Sequence, residues 1–169
     1  IENKIIEPMS EPAPAVSPMV VVWKNKNPRI CIDLTDVNKN IRRRQYPLQT
    51  IDEVAANLHG SKIWTKLDCA KGFWQVRVTP RTSNYLAFST PWGRFRCLRL
   101  PFGLCSAPEV FQAWMSSLLG GKKGVEVAMD DILCHAKDKE ELEKITQDVL
   151  NTLKNAGLKL NPQKCIFNA

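Results

Sequence analysis

Apolar positions along the chain come in short blocks, and their spacing switches between the periods of strand and helix. Met19–Trp23 and Arg29–Asp33 are compact β runs on either side of Lys24-Asn25-Lys26-Asn27-Pro28. This predicts a hairpin with basic residues at its tip and on its return. Asp33–Asn40 reads as a short turn or helix. Thr50 with Glu53 forms a capping box, which predicts a helix through Leu58 that stops near Gly60. Ile63–Asp68 is the next strand and ends on a carboxylate. After the tight turn Cys69–Phe73, Trp74–Val78 resumes alternation, and Tyr85–Thr90 pairs with Arg94–Arg99 around Pro91-Trp92-Gly93.

Ser106 opens a helix with Pro108 in its first turn. Its stripe of Val110, Phe111, Trp114, Met115 and Leu118 reads as core packing, and Gly120-Gly121 ends it. Val125 to His135 carries Asp130-Asp131 between two apolar runs, a hairpin with paired carboxylates at its tip. Lys137–Ala156 is a long amphipathic helix with Leu142, Ile145, Val149, Leu150 and Leu153 on one face and Gly157 as its cap. Leu158–Phe167 is short strand-and-turn material. Residues 1–18 hold Pro8, Pro12, Pro14 and Pro18 and read as an extended arm rather than a packed element. The order predicts an α+β fold, an antiparallel sheet with helices on one face, in which Asp68 lies beside Asp130 and Asp131.

Adjacent carboxylates repel, and Asp is a poor strand former, so a compensating charge is expected at the Asp-Asp pair. Mg²⁺ prefers carboxylate oxygens and is often shared with substrate phosphates. Charge adds a partner. The chain carries a net +7, and Val22–Pro101 alone holds 15 Lys/Arg against 5 Asp/Glu. A basic region beside an acidic metal-like site suits a polyanion. At 44% apolar, the 169 residues can bury a real core. The 6 cysteines form no C-x-x-C pair, and His59 and His135 stand apart, which argues against zinc. No secretory leader and no run of about 18 apolar residues occurs, so an intracellular chain without a membrane partner is expected.

Seven motifs stand in order: Arg29-Ile-Cys-Ile-Asp33 with Asn38-Lys39; Tyr46-Pro47-Leu48; Lys66-Leu-Asp68-Cys-Ala-Lys-Gly72-Phe73; Leu100-Pro-Phe-Gly-Leu104; Ser106-Ala-Pro108 with Phe111; Met129-Asp130-Asp131-Ile-Leu133; and Gly157-Leu-Lys-Leu-Asn-Pro162 with Lys164-Cys165. Each alone is weak, but their ordered combination is specific. From about Ser17 to Phe167 the chain resembles the fingers and ferredoxin-like palm of reverse transcriptases of Ty3/gypsy-type LTR retrotransposons and related retroviral polymerases.

The resemblance implies RNA- or DNA-templated DNA synthesis from dNTPs on a primed template, with a pair of Mg²⁺ ions that Mn²⁺ can replace. Asp68, Asp130 and Asp131 match the metal-binding triad, Asp131 as the weaker ligand. Lys24 and Arg29 match residues that clamp the incoming triphosphate, and the backbone amides of Cys69 and Ala70 match a phosphate-cradling turn. Phe73 matches an aromatic gate against a 2′-hydroxyl, and Phe102 and Gly103 match the nucleotide-pocket loop. Trp92, Arg94 and the run Arg42, Arg43, Arg44 match template contacts only loosely. The implied division is an arm over 1–18, fingers over 19–60, palm start with returning fingers strands over 61–100, and palm over 101–169. Thumb, connection, RNase H and integrase are expected of a full-length polyprotein, so the segment is expected to be incomplete as a stand-alone enzyme. The implied setting is a cytoplasmic retroelement particle, with the nucleus as the alternative. One residue departs from the pattern: the family usually has Tyr or Phe where this chain has Ala128. A catalytically impaired nucleic-acid-binding remnant is therefore the alternative reading.

Overall fold

The computed structural model describes all residues but 25, 44, 45, 47–49, 129 and 130, and all remaining side chains but those of Lys24, Asn27 and Ile51. The chain divides into two compact units, Ile1–Arg44 with Phe73–Pro108, and Gln45–Gly72 with Glu109–Ala169.

The first unit is built on a five-stranded sheet of order β1-β6-β5-β2-β3. Its strands are β1 (Ile6–Pro8), β2 (Val16–Lys24), β3 (Asn27–Ile32), β5 (Ala87–Thr90) and β6 (Gly93–Cys97). The predicted hairpin is present and longer than expected, with Met19 opposite Ile32 and Lys24 opposite Asn27. The predicted free arm is corrected: β1 pairs antiparallel with β6, Val16–Pro18 pair parallel with β5, and Met9 is buried. Pro8 is compatible with this pairing because β1 is an edge strand, where a missing N–H costs no ladder bond.

Tyr85 also departs from its predicted strand and ends helix α3 (Pro80–Tyr85). Thr79 caps that helix by accepting from the Thr82 amide, and Pro80 sits in the first turn, where it lacks nothing the helix needs. Trp74 and Gln75 lie in a short 3₁₀ turn, Gly72–Gln75, rather than a strand. Helix α1 (Thr35–Lys39) follows β3. Leu34, Leu86, Phe88, Cys97, Leu100, Leu104 and Ala107 form the buried cluster that holds these pieces together.

The second unit is a three-stranded antiparallel sheet, β4-β8-β7, of β4 (Ile63–Asp68), β7 (Val125–Ala128) and β8 (Asp131–Ala136). Alternation sorts its faces. Thr65, Leu67, Ile132 and Cys134 are wholly buried, while Lys66, Asp68, Asp131 and Leu133 are only half-buried. Helix α5 (Lys139–Asn155) packs on β8 and β4 and buries Leu142, Val149 and Leu153. Fully burying one such side chain is worth about 1.5–3 kcal/mol. Asp138 caps α5 on the Glu141 amide, and Gly157, at φ 73°, turns the chain so that the Leu158 amide reaches the Leu153 carbonyl. Helix α4 (Ala107–Leu119) buries Phe111, Met115 and Leu119, and Gln112 donates to the Val127 carbonyl at 2.9 Å. Helix α2 (Ile51–Asn57) begins at the predicted capping box: Thr50 accepts from the Glu53 amide at 3.2 Å, and Glu53 accepts from the Thr50 amide at 2.8 Å. Residues after α5 return along β4, bridging Ile166 to Lys66 and Leu160 to Cys69. Among the described residues no helix is long and apolar enough to cross a membrane.

Candidate active site

Antiparallel register places Asp68 directly opposite Asp131, and Asp131 is in turn opposite Ala128. Opposite residues share a sheet face, so the three stand in one row on the face away from the buried Leu67 and Ile132. The main chain of Asp68 is pinned from both sides. Its amide donates to Cys165 Sγ at 3.5 Å, and its carbonyl accepts from the Asn161 amide at 2.9 Å. Its side chain is 14% exposed, and Oδ2 lies 3.5 Å from Lys164 Nζ. Asp131 is more open, at 42%, with Oδ2 2.7 Å from Lys66 Nζ. The hydrogen bond to Asp131 holds the Lys66 ammonium above the usual lysine range.

Sequence reasoning expected a compensating cation but did not name these two lysines. Lys66 was legible, since two residues before Asp68 in a strand is the same face. Lys164 reaches the site only through the return of the chain along β4. Two neighbouring carboxylates form an oxygen-only donor set, which suits Mg²⁺ or Mn²⁺. Asp130 lies outside the described residues, and among those described no three metal-ligating side chains cluster.

Next in the chain, Cys69 is buried at 4% exposure. The Ala70 amide donates to the Lys159 carbonyl at 2.9 Å. In this structure the Ala70 hydrogen expected to cradle a phosphate is paired with the returning chain.

In the first unit, the Phe73 ring packs on Phe102 with centroids 5.2 Å apart and planes tilted by 47°. Trp74 meets Phe102 edge-on at 5.6 Å. Gly103 follows at φ 90°, a conformation that disfavours any residue with a Cβ. Arg29 is exposed on β3 opposite Val22, and Lys24 ends β2, its side chain being outside the description. Trp92 stands 81% exposed at the turn between β5 and β6. Arg94, expected to contact template, donates to the Ser10 carbonyl at 3.2 Å. Arg42 and Arg43 are exposed after α1, and Arg44 is outside the described residues. The structure thus brings together Asp68 with Asp131 in one unit, and Phe73 with Phe102 in the other.

The family model described as reverse transcriptase (RNA-dependent DNA polymerase) matches residues 5–168. The chain belongs to the reverse transcriptase family. The Transposon Tf2-3 polyprotein of Schizosaccharomyces pombe is 39% identical over 152 residues, and the Tf2-7 polyprotein is 38% identical over the same length. Each alignment covers 89% of this chain but 11% of the polyprotein, so the chain spans about a tenth of those relatives. Among solved structures, the prototype foamy virus protease-reverse transcriptase CSH mutant aligns with a TM-score of 0.86 at 27% identity, over 96% of this chain and 22% of that one. The foamy viral protease-reverse transcriptase in complex with an RNA/DNA hybrid aligns with a TM-score of 0.86 at 25% identity, over 96% and 22%. The α+β architecture of reverse transcriptase fingers and palm is therefore the fold of this chain. Its relatives are transposon polyproteins, as the motif order implied.

Proposed function

We propose that this chain is the fingers and palm of a retrotransposon polymerase. It transfers a nucleotide from a dNTP to a primer 3′-hydroxyl on an RNA or DNA template. The observation that carries this reading is the register pair Asp68–Asp131, on the sheet face opposite the buried Leu67 and Ile132, in a chain that matches the family from residue 5 to 168. Thumb, RNase H and integrase regions of the same polyprotein are the expected companions, and a retroelement particle in the cytoplasm is the proposed setting.

Asp68, Asp130 and Asp131 are the residues that would hold divalent metal. When bound, such ions supply a lowered pKa at the primer hydroxyl and charge neutralisation on the triphosphate. The chain's own part is positioning. Asp68 offers a carboxylate on a pinned backbone, and Lys66 and Lys164 offset the negative charge that gathers on that face. Phe73, braced by Phe102, closes the space that a ribose 2′-hydroxyl needs and so favours deoxynucleotides. In-line phosphoryl transfer depends on this alignment more than on covalent help from the protein.

A second reading has one observation in its favour. Ala128 stands opposite Asp131 with a methyl where the family has an aromatic ring, which suits a nucleic-acid-binding remnant of low activity.

Primer extension on poly(rA)–oligo(dT) with Mg²⁺ or Mn²⁺ separates the two. A longer polyprotein segment containing this chain is compared with its Asp130→Asn variant. Incorporation that disappears with the substitution supports the polymerase. Equal incorporation by both removes the carboxylate assignment, and no incorporation by a folded parent protein favours the remnant.

A further inference from the structure

We infer that Asn38 is a positioning residue of the nucleotide pocket, acting as a two-point clamp on the loop that carries Phe102. The inference rests on the reading of Phe73 and Phe102 given above.

Asn38 lies on α1, 65 residues before Gly103 in the chain. Its Nδ2 donates to the Gly103 carbonyl at 2.9 Å. Its Oδ1 accepts from the Cys105 amide, also at 2.9 Å. One carboxamide therefore serves a carbonyl and an N–H on either side of Leu104. A primary amide is the side-chain group that can donate and accept in one plane, so the loop meets Asn38 much as it would meet a strand.

Both ends of the clamp are fixed. The residue opening α1 is Leu34, 2% exposed, and its carbonyl accepts from the Asn38 amide at 2.8 Å. At the other end Leu104, 7% exposed, belongs to the same buried cluster as Leu34. The loop needs holding because its own sequence does not hold it. Gly103 is at φ 90°, where glycine has the widest conformational freedom of any residue. Phe102, just before it, is 46% exposed and gets little anchorage from burial.

What the clamp sets is the place of the Phe102 ring. That ring touches Phe73 at 5.2 Å and Trp74 at 5.6 Å. If the loop drifts, Phe73 loses its brace, and the wall against the 2′-hydroxyl softens. Asn38 acts through its bonds to the Gly103 and Cys105 main chain.

The test uses the active longer protein and a graded set of variants. Asn38→Ala removes both bonds. Asn38→Asp keeps an acceptor for the Cys105 amide but cannot donate to Gly103. Asn40→Ala is the control at the C-cap of the same helix, since it breaks the local bond from Asn40 Nδ2 to the Asp36 carbonyl. Amide exchange at Cys105 reads the clamp directly, without reference to activity. It should quicken in Asn38→Ala, less in Asn38→Asp, and not in Asn40→Ala. In primer extension the KM for dNTP should rise on the order of tenfold in Asn38→Ala, and the preference for dNTP over rNTP should fall by a similar factor, while kcat changes little. Asn38→Asp should be intermediate and Asn40→Ala unchanged. Unchanged exchange at Cys105 would overturn the clamp. Faster exchange with unchanged KM and sugar preference would overturn its role in the pocket. If the parent protein shows no Asp130-dependent incorporation, the polymerase reading itself falls and takes the pocket role with it, whatever exchange shows.

Discussion

Ala128 is the register partner of Asp131, so a methyl group stands beside the carboxylate where reverse transcriptases usually carry an aromatic ring. The position is exposed, which leaves room to restore the ring. Ala128→Tyr is expected to raise activity about 2–10-fold, the range that an added aromatic contact of about 0.5–1.5 kcal/mol supplies when it is made in the transition state. The check is kcat/KM for dTTP on poly(rA)–oligo(dT). No gain would mean that the missing ring does not limit this active site, and the remnant reading would lose its support.

The two described carboxylates are not equivalent. Asp68 is 14% exposed and pinned through its amide and carbonyl, whereas Asp131 is 42% exposed and held by Lys66. A rigid ligand contributes more to positioning than a mobile one. Asp68→Asn is therefore expected to cost on the order of 10³-fold in single-turnover rate, and Asp131→Asn about tenfold. Neither should shift the unfolding midpoint, since neither removes packing. An Asp131→Asn defect as severe as that of Asp68→Asn would reverse the ranking.

Phe73 is half-buried and packs on Phe102 and the unit's buried cluster. Phe73→Ala is expected to cut the preference for dNTP over rNTP on the order of 100-fold, since the steric term against a hydroxyl is removed outright. It should also cost stability, at the lower end of the about 3–5 kcal/mol seen for core Phe→Ala, because the ring is only half-buried. Competitive incorporation of dTTP and rUTP checks the first, and denaturant unfolding checks the second. Unchanged sugar preference in a folded variant would remove the gate assignment.

What was legible in the sequence was what local periodicity and the motifs encode. The Asp68–Asp131 meeting follows from two strands that each end or begin on a carboxylate, and the cap at Thr50 lies where side-chain chemistry needs it. What was not legible depends on partners distant in the chain. Ile6–Pro8 reads as a proline-rich arm until β6 is there to pair with it. Ala70 reads as an open turn until Lys159 returns to take its amide. Asn38 appears in the sequence only as part of a motif, and its role needs Gly103 and Cys105 beside it. Helix α3 was missed for a local reason: Leu86–Ser89 is apolar enough to extend a strand backwards, and it masked the Thr79-Pro80 start signal.

Two buried thiols make stability sensitive to alkali. Burial pushes Cys97, 3% exposed, up to about 12 and Cys134, wholly buried, up to about 11. The ordinary thiol value is 9.0, so between pH 9 and these raised values the unfolded chain ionises while the folded chain does not. The neutral thiols therefore contribute stability in full below pH 9 and lose it as pH rises towards 11 and 12. Each thiol costs about 1.4 kcal/mol per pH unit in that window. Because the two lie in different units, they can be removed one at a time. The measurement is denaturant unfolding from pH 8 to 10.5 for the parent, Cys97→Ala, Cys134→Ala and the double variant. Lysines and tyrosines titrate in the same range and give a common background. Above it, each single variant should flatten the fall in stability, and the double variant should flatten it most. In the same range the native protein should react with a thiol reagent at Cys31, which is exposed, long before Cys97 or Cys134. A pH slope identical in the parent and the double variant would show that these thiols ionise as easily folded as unfolded, which full burial does not allow.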